Sequence, residues 1–251
     1  MIAGTKAETV IAIIEKIPLK QRNLVNEITL DMAGNMGLIA KKCFPKATQV
    51  TDRFHVQKLA SEALQEIRIK HRWEAIDQEN EAIEKAKKNK KRFEPELLTN
   101  GDTVKQLLAR SRYFLYKNKS KWTDNQLQRA DLLFELYPDI EEAYNLSQGL
   151  RNIFENTTDK IIAFARLAKW HEKVNQSGFK SFNTISRTII NHYQNILNYF
   201  DNRSTNASAE SFNSKIKAFR SQFRGVRNIE FFRIKSKCCG EILNFDICIL
   251  K

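Results

Sequence analysis

Two short β-type runs that each stop on an aspartate constrain this chain more than any other feature. Val25-Asn26-Glu27-Ile28-Thr29-Leu30 ends at Asp31, and Ala47-Thr48-Gln49-Val50-Thr51 ends at Asp52. Between them Ala33-Gly34-Asn35 leads into Met36, Ile39, Ala40, Cys43 and Phe44, an apolar set at helical spacing that Pro45 closes. A strand, a helix and a second strand joined this closely read as an α/β unit with a parallel pair. Ligands of such sheets gather beyond the carboxyl ends of the strands, and both aspartates are predicted there.

Near the other end, Ser208-Ala209-Glu210-Ser211-Phe212-Asn213-Ser214-Lys215-Ile216-Lys217 opens an amphipathic helix. Phe212, Ile216, Phe219 and Phe223 recur at i, i+4, i+7 and i+11, the spacing of a packed stripe. Glu210 lies roughly 200° around the axis from Phe212 at about 100° per residue, and shares its face with Asn213 and Lys217. A carboxylate, an amide and cations on one face suit a metal-assisted site beside a phosphate backbone. The same residues also suit a solvated helix surface.

From Val56 to Phe200 the pattern is nearly all helical. Leu59, Ala63, Ile67, Trp73 and Ile76 predict one long helix to about Lys88 at 3.6-residue periodicity. Further periodic segments run over 104–115, 124–137, 140–154, 158–174 and 179–199, with breaks at Pro138 and Gly178. Asp102 and Asp124 occupy predicted cap positions. Such a stretch can bury many of the 16 Phe and 3 Trp in a helix-on-helix core. Trp122 and Trp170 are predicted there, although Trp122, Trp170 and Arg112-Tyr113 could also stack on unpaired bases. Cys43, on the apolar face of its helix, is predicted to be inert core.

Charge narrows the partner. Lys+Arg 42 against Asp+Glu 29 leaves +13, with basic clusters over 85–92 and at Lys215, Lys217, Arg220, Arg224 and Arg227. A surface of this sign attracts phosphates and releases their counterions. No run approaches a membrane helix, and no basic-then-apolar leader opens the sequence. Four cysteines, with Cys238 and Cys239 adjacent, lack metal-ligand spacing, so neither zinc nor a structural disulfide is expected. This usage fits a reducing cytoplasm.

The segments Glu27–Met36, Cys43–Ala47 and Val50–Val56 resemble the core of ISL-three-type insertion-sequence transposases. Ser208–Lys217 and Phe223–Phe232 resemble the closing motif of the same family. The resemblance runs from about Gly4 to Arg233 and covers most of the chain by motif order. It implies a ribonuclease-H-like core with a large all-α insertion, mostly helical overall. It also implies a DDE triad on a pair of Mg²⁺ ions and cut-and-paste transfer of DNA. Carried over by position, the second catalytic aspartate falls on Asp31 and the glutamate on Glu210, both as metal ligands. Asp52 and His55 match a D-x-x-H element, read as orienting or structural, whose members share a helix face at i, i+3.

The first aspartate of the triad has no match, so the expectation is a transposase fragment truncated at its N-terminus and inactive alone. The implied division is a partial core over 1–55, a helical insertion over 56–200, a closing core region over 201–233 and an atypical tail over 234–251. The partners would be DNA, both transposon ends and target, with homo-oligomerisation left open and no membrane. The place would be a prokaryotic cytoplasm, on the nucleoid when bound. Two alternatives stand beside this reading: a non-catalytic basic helical protein that binds DNA or regulates a transposase, and a helical interaction protein with no nucleic-acid role.

Overall fold

The parallel pair forms as predicted. A computed structural model describes residues 6–222, in which β1 (Glu27–Leu30) and β2 (Thr48–Thr51) run parallel with Glu27 opposite Thr48 and Leu30 opposite Thr51. The described residues contain a two-stranded sheet and are otherwise mostly helical. Residues 223–251 lie outside the described part, and with them Phe223, Arg224, Arg227, Cys238, Cys239 and the predicted tail.

The described residues divide into two compact units, one of residues 6–55 with 194–222 and one of residues 56–193. In the first, α1 (Ala7–Ile14) and a short α2 (Leu19–Arg22) precede β1, and α3 (Gly34–Cys43) connects the strands. Ala7 and Ile11 of α1 meet Ile39 and Cys43 of α3, with Val10, Ile14 and Phe44 around them. Burial pushes the Cys43 thiol up from its ordinary pKa, helped by Glu15, which fits an inert core cysteine. Arg22 donates to the Cys43 carbonyl at 2.5 Å, supplying a partner to the open C-terminal end of α3.

Helix α4 (Arg53–Lys88) begins directly after Asp52 and is one long helix, as the periodicity predicts. Its buried face runs through Val56, Ala60, Ala63 and Leu64, while Trp73 is 62% exposed rather than packed. In the second unit follow α5 (Val104–Arg110), α6 (Asp124–Leu136), α7 (Pro138–Glu155), α8 (Lys160–Ser177) and α9 (Lys180–Asn191). Pro138 both ends α6 and opens α7, because the first turn of a helix has no use for the missing N–H. Gly178 ends α8 with φ +71°, the left-handed conformation that glycine adopts without strain.

The caps differ from the sequence expectation by one residue. Thr103 and Thr123, not Asp102 and Asp124, cap α5 and α6, each in a capping box with Gln106 or Gln126. Asp102 is 1% exposed and instead pairs with Arg110 and with Arg129, the latter at 2.9 Å. Trp122 and Trp170 are buried core, and their indole N–H groups donate to the carbonyls of Phe114 and Leu146, each at 2.8 Å.

The first unit resumes with the short α10 (Tyr193–Leu197), α11 (Tyr199–Asn202) and the closing α12 (Ala207–Gln222). Asn198 donates to the Gln49 carbonyl at 2.9 Å and Asn202 to a Glu27 carboxylate oxygen at 2.9 Å. These bonds seat the closing segment on both strands.

Candidate functional site

The strand ends and the closing helix meet at Asp52. Its N–H donates to the Leu30 carbonyl at 3.0 Å, so the parallel ladder continues one residue beyond β2. Asp31 and Asp52 thus leave the sheet side by side, with backbones roughly one strand spacing (~4.8 Å) apart. Asp31 is exposed, and its Oδ1 accepts the Ala33 N–H at 3.0 Å, a local bond that turns the chain toward α3.

Asp52 is 2% exposed, and both its oxygens are used. Oδ1 accepts the Phe54 N–H at 2.9 Å, satisfying one of the open amides in the first turn of α4. Oδ2 accepts the Asn206 N–H at 2.9 Å. Asn206 immediately precedes α12, and its carbonyl accepts the Glu210 N–H at 2.8 Å. One buried carboxylate therefore fixes the entry to two helices that lie far apart in sequence.

Glu210 consequently arrives beside the start of α4. The ligand atoms of Asp52, His55 and Glu210 all lie within 4.8 Å of one another. His55 is half-buried in the first turn of α4, its ring edge-on to Phe54 at 6.0 Å between centroids, and Glu210 is exposed. The His55 N–H donates to the Asp52 carbonyl at 3.1 Å, and among the described residues no side-chain hydrogen bond or ion pair joins the three. The side-chain partners of Asp52 are the two amides, although the i, i+3 spacing would allow it a bond to His55. No group of three within that distance includes Asp31 among the described residues.

Asn206 is the functional contact that sequence reasoning did not identify. It sits in the polar run before the closing motif, and nothing local distinguishes it from Asn202 or Asn213. Along α12 Phe219 is buried, Ile216 is half-buried and Phe212 is 39% exposed, while Phe223 lies outside the described residues. Lys215, Lys217 and Arg220 are exposed on the same helix, whereas Arg224 and Arg227 fall outside the described residues.

Two carboxylates and an imidazole can hold a divalent ion, and the exposed cations along α12 can hold a polyanion. No helix among the described residues is long and apolar enough to cross a membrane. Comparison with known families gives a match to a model described as Transposase, of the DDE ISL-three type, over residues 1–236. No curated protein and no solved structure matches the chain. With residues 1–236 matched, including both strand-end aspartates and the Glu210 helix, the chain belongs to the ISL-three-type transposase family.

Proposed function

We propose that the chain serves DNA strand transfer of an insertion sequence, with Asp31 and Glu210 as the acidic residues of the catalytic centre on a ribonuclease-H-like core. Asp52 is the residue that keeps Glu210 in position. The observation that carries this reading is the 2.9 Å bond from the Asn206 N–H to Asp52 Oδ2. It ties the turn bearing Glu210 back to the strand end beside Asp31.

The donors suit the Mg²⁺ that the family implies. Asp31 has one oxygen that accepts the Ala33 N–H and a second with no hydrogen bond among the described residues, and Glu210 is exposed; both offer the hard oxygens that Mg²⁺ requires. A bound ion supplies charge neutralisation at the phosphoryl group. The chain's own residues do the rest: Asp52 orients, and Lys215, Lys217 and Arg220 hold the phosphate backbone. Two carboxylates hold at best one ion, and in-line displacement at phosphorus with both oxygens stabilised takes a pair. The 251-residue chain by itself is therefore expected to bind DNA without cutting it.

The test is fluorescence anisotropy of the whole chain with a labelled duplex over a range of salt. Log K should fall with log salt at a slope of about −0.9 per phosphate neutralised. Reversing Lys215, Lys217 and Arg220 to Glu should flatten it by about 2–3 units if all three touch phosphates. Absent or salt-insensitive binding refutes the reading. Mg²⁺-dependent cleavage by the isolated chain, abolished by Glu210→Gln, would show that another carboxylate completes the triad. The +13 charge also supports a second reading, a DNA-binding regulator of a transposase, which predicts the same salt slope and no cleavage in the presence of added catalytic partner.

A further inference from the structure

The convergence of Asp52, His55 and Glu210 contains more than an orienting element needs. Asp52 accepts the Phe54 and Asn206 amides, which is all that orienting requires, whereas the His55 imidazole has no hydrogen-bond partner among the described residues although two carboxylates lie within 4.8 Å. We propose that these three side chains form a site for a divalent first-row transition ion of the Mn²⁺ or Zn²⁺ class. The site shares Glu210 with the proposed catalytic centre but does not use Asp31, and it does not depend on whether the chain cuts DNA.

Donor chemistry selects the ion. Mg²⁺ takes an all-oxygen shell and keeps its waters, whereas an imidazole nitrogen beside two carboxylates suits transition ions. The bound on the spacing leaves room for an ion, and no direct side-chain bond fills it among the described residues. Metal bonds of about 2.1 Å place ligand atoms at most ~4.2 Å apart, and rotation of the exposed Glu210 covers the remaining difference. A direct hydrogen bond would need about 3 Å.

The state of Asp52 is an independent second observation. It is 2% exposed, and two amide donors fix both of its oxygens in place while each retains a further lone pair. A ligand held this way is ordered before the ion arrives, which is how supporting shells raise metal affinity. His55 is carried on the first turn of α4, and Glu210 on the first turn of α12. Both helix starts present positive dipole ends, which oppose a cation by about 0.3–1 kcal/mol each. The two carboxylates must therefore supply the negative charge, and His55 adds the nitrogen donor that favours a transition ion. Once bound, the ion would link the starts of α4 and α12 in addition to the Asp52–Asn206 bond.

Mn²⁺ is the probe of choice, because the thiols of Cys238, Cys239 and Cys248 would compete for Zn²⁺ but bind Mn²⁺ poorly. Because Glu210 is shared with the proposed Mg²⁺ centre, the whole chain is titrated with Mn²⁺ without added Mg²⁺, and free Mn²⁺ is read by electron paramagnetic resonance. The expected result is one Mn²⁺ retained per chain, with electron spin echo modulation from a directly bound nitrogen. His55→Phe keeps the ring and its contact with Phe54. It should remove the nitrogen modulation and weaken binding by about tenfold or more. Asp31→Asn should leave both unchanged. Absence of nitrogen coupling in the unaltered chain overturns the proposal, and that measurement stands even if His55→Phe does not fold. Binding unaffected by His55→Phe, or abolished by Asp31→Asn, also overturns it, the latter by assigning the ion to the oxygen site proposed for catalysis.

Discussion

Removing the Asp52 carboxylate should release α12 from the strand end. Asp52→Ala deletes the acceptor of the Phe54 N–H and of the Asn206 N–H, both at 2.9 Å and both charge-assisted. Loss of a cap costs about 1 kcal/mol, and loss of a hydrogen bond to a charged group about 1.5–3 kcal/mol, so the first unit should lose roughly 2.5–4 kcal/mol. The portion assigned to Asn206 acts locally. If opening of the first turn of α12 becomes easier by about 1.5–3 kcal/mol, its amides exchange roughly tenfold to 150-fold faster. Asp52→Asn is the informative control, since its amide has one acceptor oxygen and can serve one N–H but not both. It should fall between the parent and Ala. Hydrogen exchange with mass spectrometry on peptides covering 199–215 and 50–60 reads the two ends separately. Unchanged exchange at Asn206–Glu210 in Asp52→Ala, with faster exchange at Phe54, would refute the claim that Asp52 holds the closing helix.

Two further outcomes follow from the second unit. Asp102→Ala should cost about 3 kcal/mol or more in urea unfolding, because Arg110 and Arg129 lose a buried partner, whereas Thr103→Ala should cost about 1 kcal/mol as a lost cap. The opposite order would reinstate Asp102 as the cap. Burial pushes the Tyr144 phenol up to about 12, above the roughly 10 of an unfolded tyrosine. A folded pKa above the unfolded one means stability that is complete below pH ~10 and is lost as pH climbs toward 12, by about 2–3 kcal/mol. Urea midpoints between those limits, with tyrosinate absorbance alongside, should show this fall in the parent and less of it in Tyr144→Phe.

What the sequence made legible here is what local spacing controls. The two strands, α3 and the length of α4 follow from alternation, helical period and the breaks at Pro45 and after Lys88. The caps were within reach as well, since Thr103 and Thr123 each stand three residues before a glutamine, the spacing of a capping box. Asp102 and Asp124 drew attention because aspartate is a good cap, but a residue that pairs with Arg129 can be recognised only once α5 and α6 are packed together. The candidate site shows the same limit. That Asp52 and His55 lie one helical turn apart is local information; that Asn206 and Glu210 arrive beside them depends on a return of the chain across 154 residues. That return is fixed by contacts with no periodic signature, namely Asn198 on the Gln49 carbonyl, Asn202 on Glu27 and Asn206 on Asp52. Three asparagines in nine residues, each bonding to a strand or its end, place the closing helix, so a polar linker by composition is by structure the element that assembles the site.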